Sequence, residues 1–215
     1  MSRPALPRTQ VRRLPEKQVS GDRAVLDAVL DAALVAHVAV PQSHRLAVVP
    51  TGFARDDDRL LVHGSSASQA FRTLATGVET CVTVTLLDGV VVARSQFESS
   101  MHYRSAMVFG SFTALERTAK EHALGRLSAK LLPGLTDRRP PAPQELTATA
   151  VLAMPLTEWS VKVSAGPPDD VTEDVDRPVW AGVVPLEYSY GTPVDAPDLR
   201  FDLAAPDAVR EWTAR

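Results

Sequence analysis

Leu61-Val62-His63-Gly64-Ser65-Ser66-Ala67-Ser68 carries an apolar strand into a glycine–serine turn. The helical spacing of Ala67, Ala70, Phe71, Leu74 and Ala75 follows at once, with Gly77 placed as a C-terminal cap. The segment Ser66 to Thr76 is therefore read as a helix. A helix that opens just after His63-Gly64 presents unpaired backbone N–H groups and serine hydroxyls, and a phosphate is their natural guest. After that helix come Cys81-Val82-Thr83-Val84-Thr85 and then Met101-His102-Tyr103-Arg104-Ser105, which enters a run ending at Phe109-Gly110. The order is strand, anion-binding turn, helix, strand, loop, strand.

Upstream of this stretch, Ser20-Gly21-Asp22 caps a helix from Arg23 to Ala33, in which Val25, Leu26, Val29, Leu30 and Ala33 recur at helical spacing. Val35 to Val40, Leu46 to Thr51 and Arg59 to His63 read as a three-stranded meander, with Asp56-Asp57-Asp58 as the turn into the third strand. Downstream, Cys81 to Leu87, Val90 to Arg94 and Tyr103 to Thr113 are rich in Val and Thr, as half-buried strands are. A helix from Lys120 to Leu132 puts Leu124, Leu127 and Leu131 on one face. Beyond the Pro140 to Pro143 linker come two more strands, Ala148 to Met154 and Trp159 to Ser164. Pro206 to Thr213 reads as a short surface helix. Many short strands without strict strand–helix alternation exclude a doubly wound parallel sheet and suit a small antiparallel barrel with helices outside it.

Composition narrows the function classes. With 215 residues the chain buries a core without disulfides or metal. A net charge of -3 offers no basic field for nucleic acid. No apolar run is long enough to span a bilayer, and the basic start up to Arg13 lacks the apolar segment of a secretory signal. A lone cysteine, Cys81, excludes an intramolecular disulfide, and its strand setting predicts a buried thiol in a reducing cytoplasm. Prolines concentrate in the first fifteen residues and in the tail, so residues 1–19 are expected to be an extended arm, 20–187 the folded domain and 188–215 a tail.

The phrases LLVHGSSAS (60–68), CVTVTLLDGVVVARSQFESSMHYRSAMVFG (81–110) and, further on, VKVSAGPPDD with PVWAGVVPL resemble the flavin-binding split-barrel proteins related to pyridoxamine 5′-phosphate oxidase. Within that family the nitroimidazole-resistance branch is the nearest in pattern, and the resemblance spans roughly residues 20 to 187. It implies a mainly β (α+β) fold, a six-stranded antiparallel split β-barrel with flanking helices. It also implies bound FMN and a homodimer. The activity implied is that of a flavin-dependent oxidoreductase acting on a small organic substrate, with NAD(P)H as a candidate donor. A non-catalytic flavin-binding protein is the competing reading, and deazaflavin or haem are alternative cofactors for such a barrel.

The candidate site residues follow. His63, Gly64, Ser65, Ser66 and Ser68 form the phosphate turn: Gly allows close backbone approach and the hydroxyls donate. The plain alternative is that Ser65 or Ser66 merely caps the helix. Nitroimidazole-resistance relatives carry Lys or Arg in this turn, whereas Ser68, Gln69 and Ala70 stand here, so the positive charge is assigned to Arg72 or Arg104. By resemblance Thr83 and Thr85 line the flavin ring edge, although Thr is common in any strand. Tyr103, Arg104 and Ser105 are placed to hold ribityl hydroxyls and phosphate, unless Arg104 simply pairs with an acid such as Glu98. Trp159 and Lys162 resemble the end of the barrel that approaches the flavin in relatives, and Trp159 is equally a core residue. Trp180 with Val179, Val183 and Val184 reads as an apolar anchor for a partner subunit. His37, His44, His63, His102 and His122 are too scattered for a metal set, and His63 alone is a candidate catalytic group.

Overall fold

The computed structural model describes residues 8–10, 15–19, 21–42 and 45–213. In chain order the strands are β1 (Gln18–Val19), β2 (Val35–Gln42), β3 (Arg45–Asp56), β4 (Arg59–Ser65), β5 (Glu79–Val92), β6 (Ser100–Ser111), β7 (Thr113–Ala114), β8 (Thr149–Pro155), β9 (Glu158–Ser164) and β10 (Gly182–Pro185). The helices are α1 (Arg23–Ala32), α2 (Gln69–Ala75), α3 (Arg117–Leu131), α4 (Pro143–Ala148) and α5 (Asp207–Trp212). All pairings are antiparallel, in the order β1-β9-β6-β5-β2-β3-β4-β8-β7 with β10 joined to β5. Gly110 of β6 packs on Met154 of β8, so strands five places apart in the ladder meet and the sheet curls into a split barrel. It has ten strands among the described residues rather than six: seven longer ones, with short β1, β7 and β10 added to them.

Alternation decides what lies inside. Ala36, Val38 and Val40 of β2, Val82 and Val84 of β5, Ala106 and Val108 of β6 and Val161 of β9 point inward and are fully buried with Leu26, Val29 and Leu30 of α1. On β4 the run Leu60-Leu61-Val62 is buried throughout, because it is covered on both faces. Leu60 and Val62 join the barrel interior, while Leu61 packs under α3 with Ala54, Ala123, Leu127 and Val151. Leu131, expected on the buried face of α3, is exposed.

Several local devices match the sequence. Asp22 caps α1 by accepting from the Ala24 N–H at 3.0 Å, while Ser20 lies outside the described residues. Asp57 adopts φ 50° in the two-residue hairpin turn between β3 and β4. Asp56, in contrast, is a buried strand residue and not part of the turn. Burial opposes its charge, yet bonds from His122 (3.2 Å) and Arg59 (2.7 Å) outweigh that and hold the carboxyl below its ordinary value.

Other expectations are corrected. The helix read as Ser66 to Thr76 begins only at Gln69, since Ser65 and Ser68 are tied up in the turn before it. The two strands read at 81–87 and 90–94 are one strand, β5, which passes through Asp88-Gly89 with a register shift between Leu87 and Gly89. Between the linker read to Pro143 and the strand read from Ala148, residues 143–148 form α4. Part of the N-terminal arm is engaged: Arg8 bridges Glu79 and Glu158 and lies 4.7 Å from the centre of the Phe109 ring.

Candidate functional site

The residues singled out in the sequence come together along one row on the barrel's outer face. Thr85 pairs with Ser105, Ser105 with Lys162, and Val35 with Gly52. Val35 and Thr85 line the same cavity, and the Thr51 hydroxyl reaches the His63 carbonyl at 3.4 Å from the neighbouring strand. His63, Gly52, Val35, Thr85, Ser105 and Lys162 thus follow one another across β4, β3, β2, β5, β6 and β9. All are at least partly exposed, because the alternate positions Val62, Phe53, Ala36, Val84, Ala106 and Val161 fill the interior. Thr83 lies one step along β5, opposite His37 and Met107.

The turn at His63–Ser68 is built differently from the expected phosphate cradle. Its backbone donors are used internally: Ser66 N–H goes to the Ala148 carbonyl (2.8 Å), Ala67 N–H to the Ser65 hydroxyl (3.2 Å) and Ser68 N–H to the Ser65 carbonyl (3.0 Å). Gly64 also has a packing reason. A Cβ there would lie 2.3 Å from the Phe71 ring of α2, so glycine is required for α2 to seat. What remains free among the described residues is the His63 imidazole and the hydroxyls of Ser66 and Ser68.

The two arginines are engaged. Arg72 donates to the Ala67 carbonyl at 2.6 Å and so braces the turn. Arg104 forms a two-pronged ion pair with Asp88 (2.9 and 2.7 Å), which lies diagonally across at the β5 bulge, two residues beyond its register partner Leu86, rather than with Glu98. This pairing raises the Arg104 pKa above its ordinary value. Lys162 lies 5.7 Å from the Tyr103 ring centre, so Tyr103, Ser105 and Lys162 form one polar group at the far end of the row. Trp159 packs against the buried core, its plainer reading.

Beside the row opens a cavity of about 590 Å³, walled by Leu34, Val35, His37, Thr85, Lys130 and Tyr190 among others. This size and its apolar walls with a few polar groups suit a small-molecule site. Lys130 donates to the Leu30 carbonyl at the end of α1 (2.7 Å) and sits 3.7 Å from the Phe53 ring centre. Burial pushes its amine down to about 8. Neither Lys130 nor the tail residues Tyr188 and Tyr190 was found in the sequence, because a lysine at the end of an amphipathic helix and tyrosines in a proline-rich tail carry no local motif. His37 was visible only as one of five scattered histidines.

Cys81 is half-buried and its thiol is pushed up by burial, which keeps it unreactive. Among the described residues no group of three or more His, Cys, Asp or Glu could hold a metal ion, and no helix is long and apolar enough to cross a membrane.

No curated protein sequence matches the chain. Solved structures do. It is similar to the FAD and haem binding protein from Mycobacterium smegmatis, with 44% identity over 92% of this chain and 97% of that one at a TM-score of 0.88. It is also similar to the flavocytochrome Anf3 from Azotobacter vinelandii, with 36% identity over 95% and 96% of the two chains at a TM-score of 0.89. A 5-nitroimidazole antibiotic resistance protein from Bacteroides thetaiotaomicron shares the fold at 20% identity, covering 68% of this chain and 86% of that one with a TM-score of 0.57. The pyridoxamine 5′-phosphate oxidase profile matches residues 22–163, which include the turn, the row, every strand from β2 to β8 and all of β9 but its last residue. With the split barrel and these residues in one place, the chain belongs to the pyridoxamine 5′-phosphate oxidase family.

Proposed function

We propose that the protein is a flavin-dependent oxidoreductase that binds FAD and haem and works as a homodimer on a small organic substrate. The observation that carries this reading is the near-complete likeness, at 44% identity, to a protein described as binding FAD and haem. That likeness extends beyond residue 163 into the C-terminal segment, which the family profile leaves out. The resemblance of the barrel alone implies FMN; the full-length likeness favours FAD as the flavin.

The residues present fit both groups. The outer-face row offers a shallow track from the free hydroxyls of Ser66 and Ser68 past Val35 and Thr85 to Tyr103, Ser105 and Lys162. Its apolar backbone-lined middle suits a flat ring, and its polar ends suit phosphate and ribityl groups. Because the turn's own N–H groups are spent and Arg104 is paired, hydroxyls and Lys162 carry most of the polar contact. Among the described histidines, His37 and His63 stand on this face with unpartnered rings, and either would be able to hold haem iron through a ring nitrogen. The flavin supplies hydride and single-electron chemistry, the haem single-electron and dioxygen chemistry. The chain's part is to bind, orient and shield.

A track on an outer face needs a cover. Leu46 and Val48 of β3 are 71% and 58% exposed, and Met107 of β6 is exposed on the same outer face three strands away. A second copy packed on this apolar face shields both it and the ring, in two-fold symmetry.

The test is the absorption spectrum and cofactor content of the purified protein. Expected are flavin and haem bands, FAD released on denaturation, and a dimer by light scattering. Colourless protein that neither quenches FAD fluorescence nor takes up haemin overturns the reading. Release of FMN alone overturns the choice of FAD.

A further inference from the structure

Residues 191–206 leave the molecule as a loop and return to it. The chain departs at Tyr190, whose ring lies 5.8 Å from that of Trp212, and comes back at α5. That helix is pinned where the Trp212 indole donates to the Pro133 carbonyl (3.0 Å) and Ala208 packs on Gly134. Between these anchors the chain forms no helix or strand, turns at 197–198, and has one backbone hydrogen bond of its own, Leu199 N–H to the Ala196 carbonyl. Its apolar side chains are turned to solvent: Val194 is 93%, Phe201 73% and Leu203 60% exposed. Compact surface loops of this length are normally packed by their own side chains. Ordering such a loop costs conformational entropy that exposed apolar groups do nothing to offset.

We propose that this loop clasps a second copy of the chain, laying Val194, Phe201 and Leu203 on that copy's exposed β2–β3 face. Three observations point to a second copy as occupant. The same chain carries an unpartnered apolar face, with Leu46 and Val48 at its centre. The loop starts from the rim of that face, since Tyr188, Ser189 and Tyr190 share a cavity with Val35, His37 and Thr85. Two legs of eight residues reach roughly 26 Å, enough to cross several strands of a copy docked there. In a two-fold dimer each copy gives one loop and receives one, so the contact is isologous. The clasp rests on the homodimer of the proposed function, and only its effect on the cofactor track depends on the flavin assignment.

The experiment uses the full-length chain and the triple variant Val194→Ser/Phe201→Ser/Leu203→Ser, all at exposed positions whose change leaves the fold intact. Sedimentation of the wild type is expected to give a dimer at micromolar concentration, and the variant's dimer is expected to dissociate about 100-fold more readily. Amide exchange of residues 191–206 should be slow in the wild-type dimer and fast in the variant. A variant dimer as tight as the wild type, a monomeric wild type, or a loop that exchanges like free peptide in the dimer overturns the clasp. A loop-dependent dimer that takes up no flavin supports the clasp while sinking the flavin reading. A flavin-loaded dimer indifferent to the loop does the reverse.

Discussion

At the scale of single residues, Gly64 and Lys130 show how position gives a residue type its meaning. Gly64 sits in a motif where glycine was expected to let a phosphate approach the backbone, yet the Phe71 ring occupies that space. Gly64→Ala should therefore cost about 1–3 kcal/mol by forcing the ring out of its seat. Urea unfolding measures it, and an unchanged midpoint would show that α2 gives way freely. Lys130 is a partly buried amine, and burial pushes its pKa down to about 8. Between that value and the ordinary lysine value of 10.5 the unfolded chain holds a proton that the folded chain has shed, so stability rises with pH across this window. The gain is about 3 kcal/mol at most. Lys130→Met is expected to abolish that rise and to leave the protein at least as stable at pH 7. Unfolding midpoints at pH 7 and pH 10 decide it.

At the scale of elements, α3 is tied to the β3–β4 hairpin through one carboxylate. Asp56 receives His122 and Arg59 and faces Arg126 at 3.3 Å. Its folded pKa is lowered, so the stabilisation is fully present above the ordinary aspartate value of 3.8 and is lost as pH falls through the folded value. Asp56→Asn should cost about 2–3 kcal/mol at pH 7 and flatten the acid limb of the stability curve. A parallel shift of the whole curve would show that the charge is not what holds α3. Much of this level was legible in the sequence. The Asp22 cap, the hydrophobic period of α1, the β2–β4 meander and the Val/Thr alternation of β5 are local signals, and each held. Gly89 was read as a break, because a bulge that re-registers a continuous strand looks like a turn in one dimension. The helix α4 carried a signal that went unread. Pro143 starts it, and Glu145 reaches back to the Ala142 N–H at 2.7 Å, the usual grammar of a helix start.

At the scale of the whole molecule, the row was legible as separate motifs but not as a row. Periodicity says which face a residue takes, while register across six strands decides that His63, Thr85, Ser105 and Lys162 line up, and register is a property of the assembled sheet. The ion pairs were hidden for the same reason: Asp88 meets Arg104 only because the β5–β6 pairing, with its bulge, sets them diagonally across from each other. If the flavin crosses this row, it ties together strands from both halves of the barrel. FAD at 100 times its dissociation constant should then stabilise the fold by about 2.7 kcal/mol. A thermal shift with FAD but none with riboflavin would place the binding energy in the polar ends, whereas equal shifts would place it in the ring.

The tethering of Tyr188–Tyr190 at both ends bears on time rather than affinity. On one side Leu186 bonds the Asp88 carbonyl, and on the other Tyr190 leans on Trp212, so one wall of the cavity is a strap and not a lip. A guest held under Tyr188–Tyr190 is released sooner when the strap loosens, and how often it loosens is set by the local opening free energy of the tail. Residence in the cavity is thus set in part by the Trp212 bond to the Pro133 carbonyl, a contact that holds the strap down without touching the guest itself.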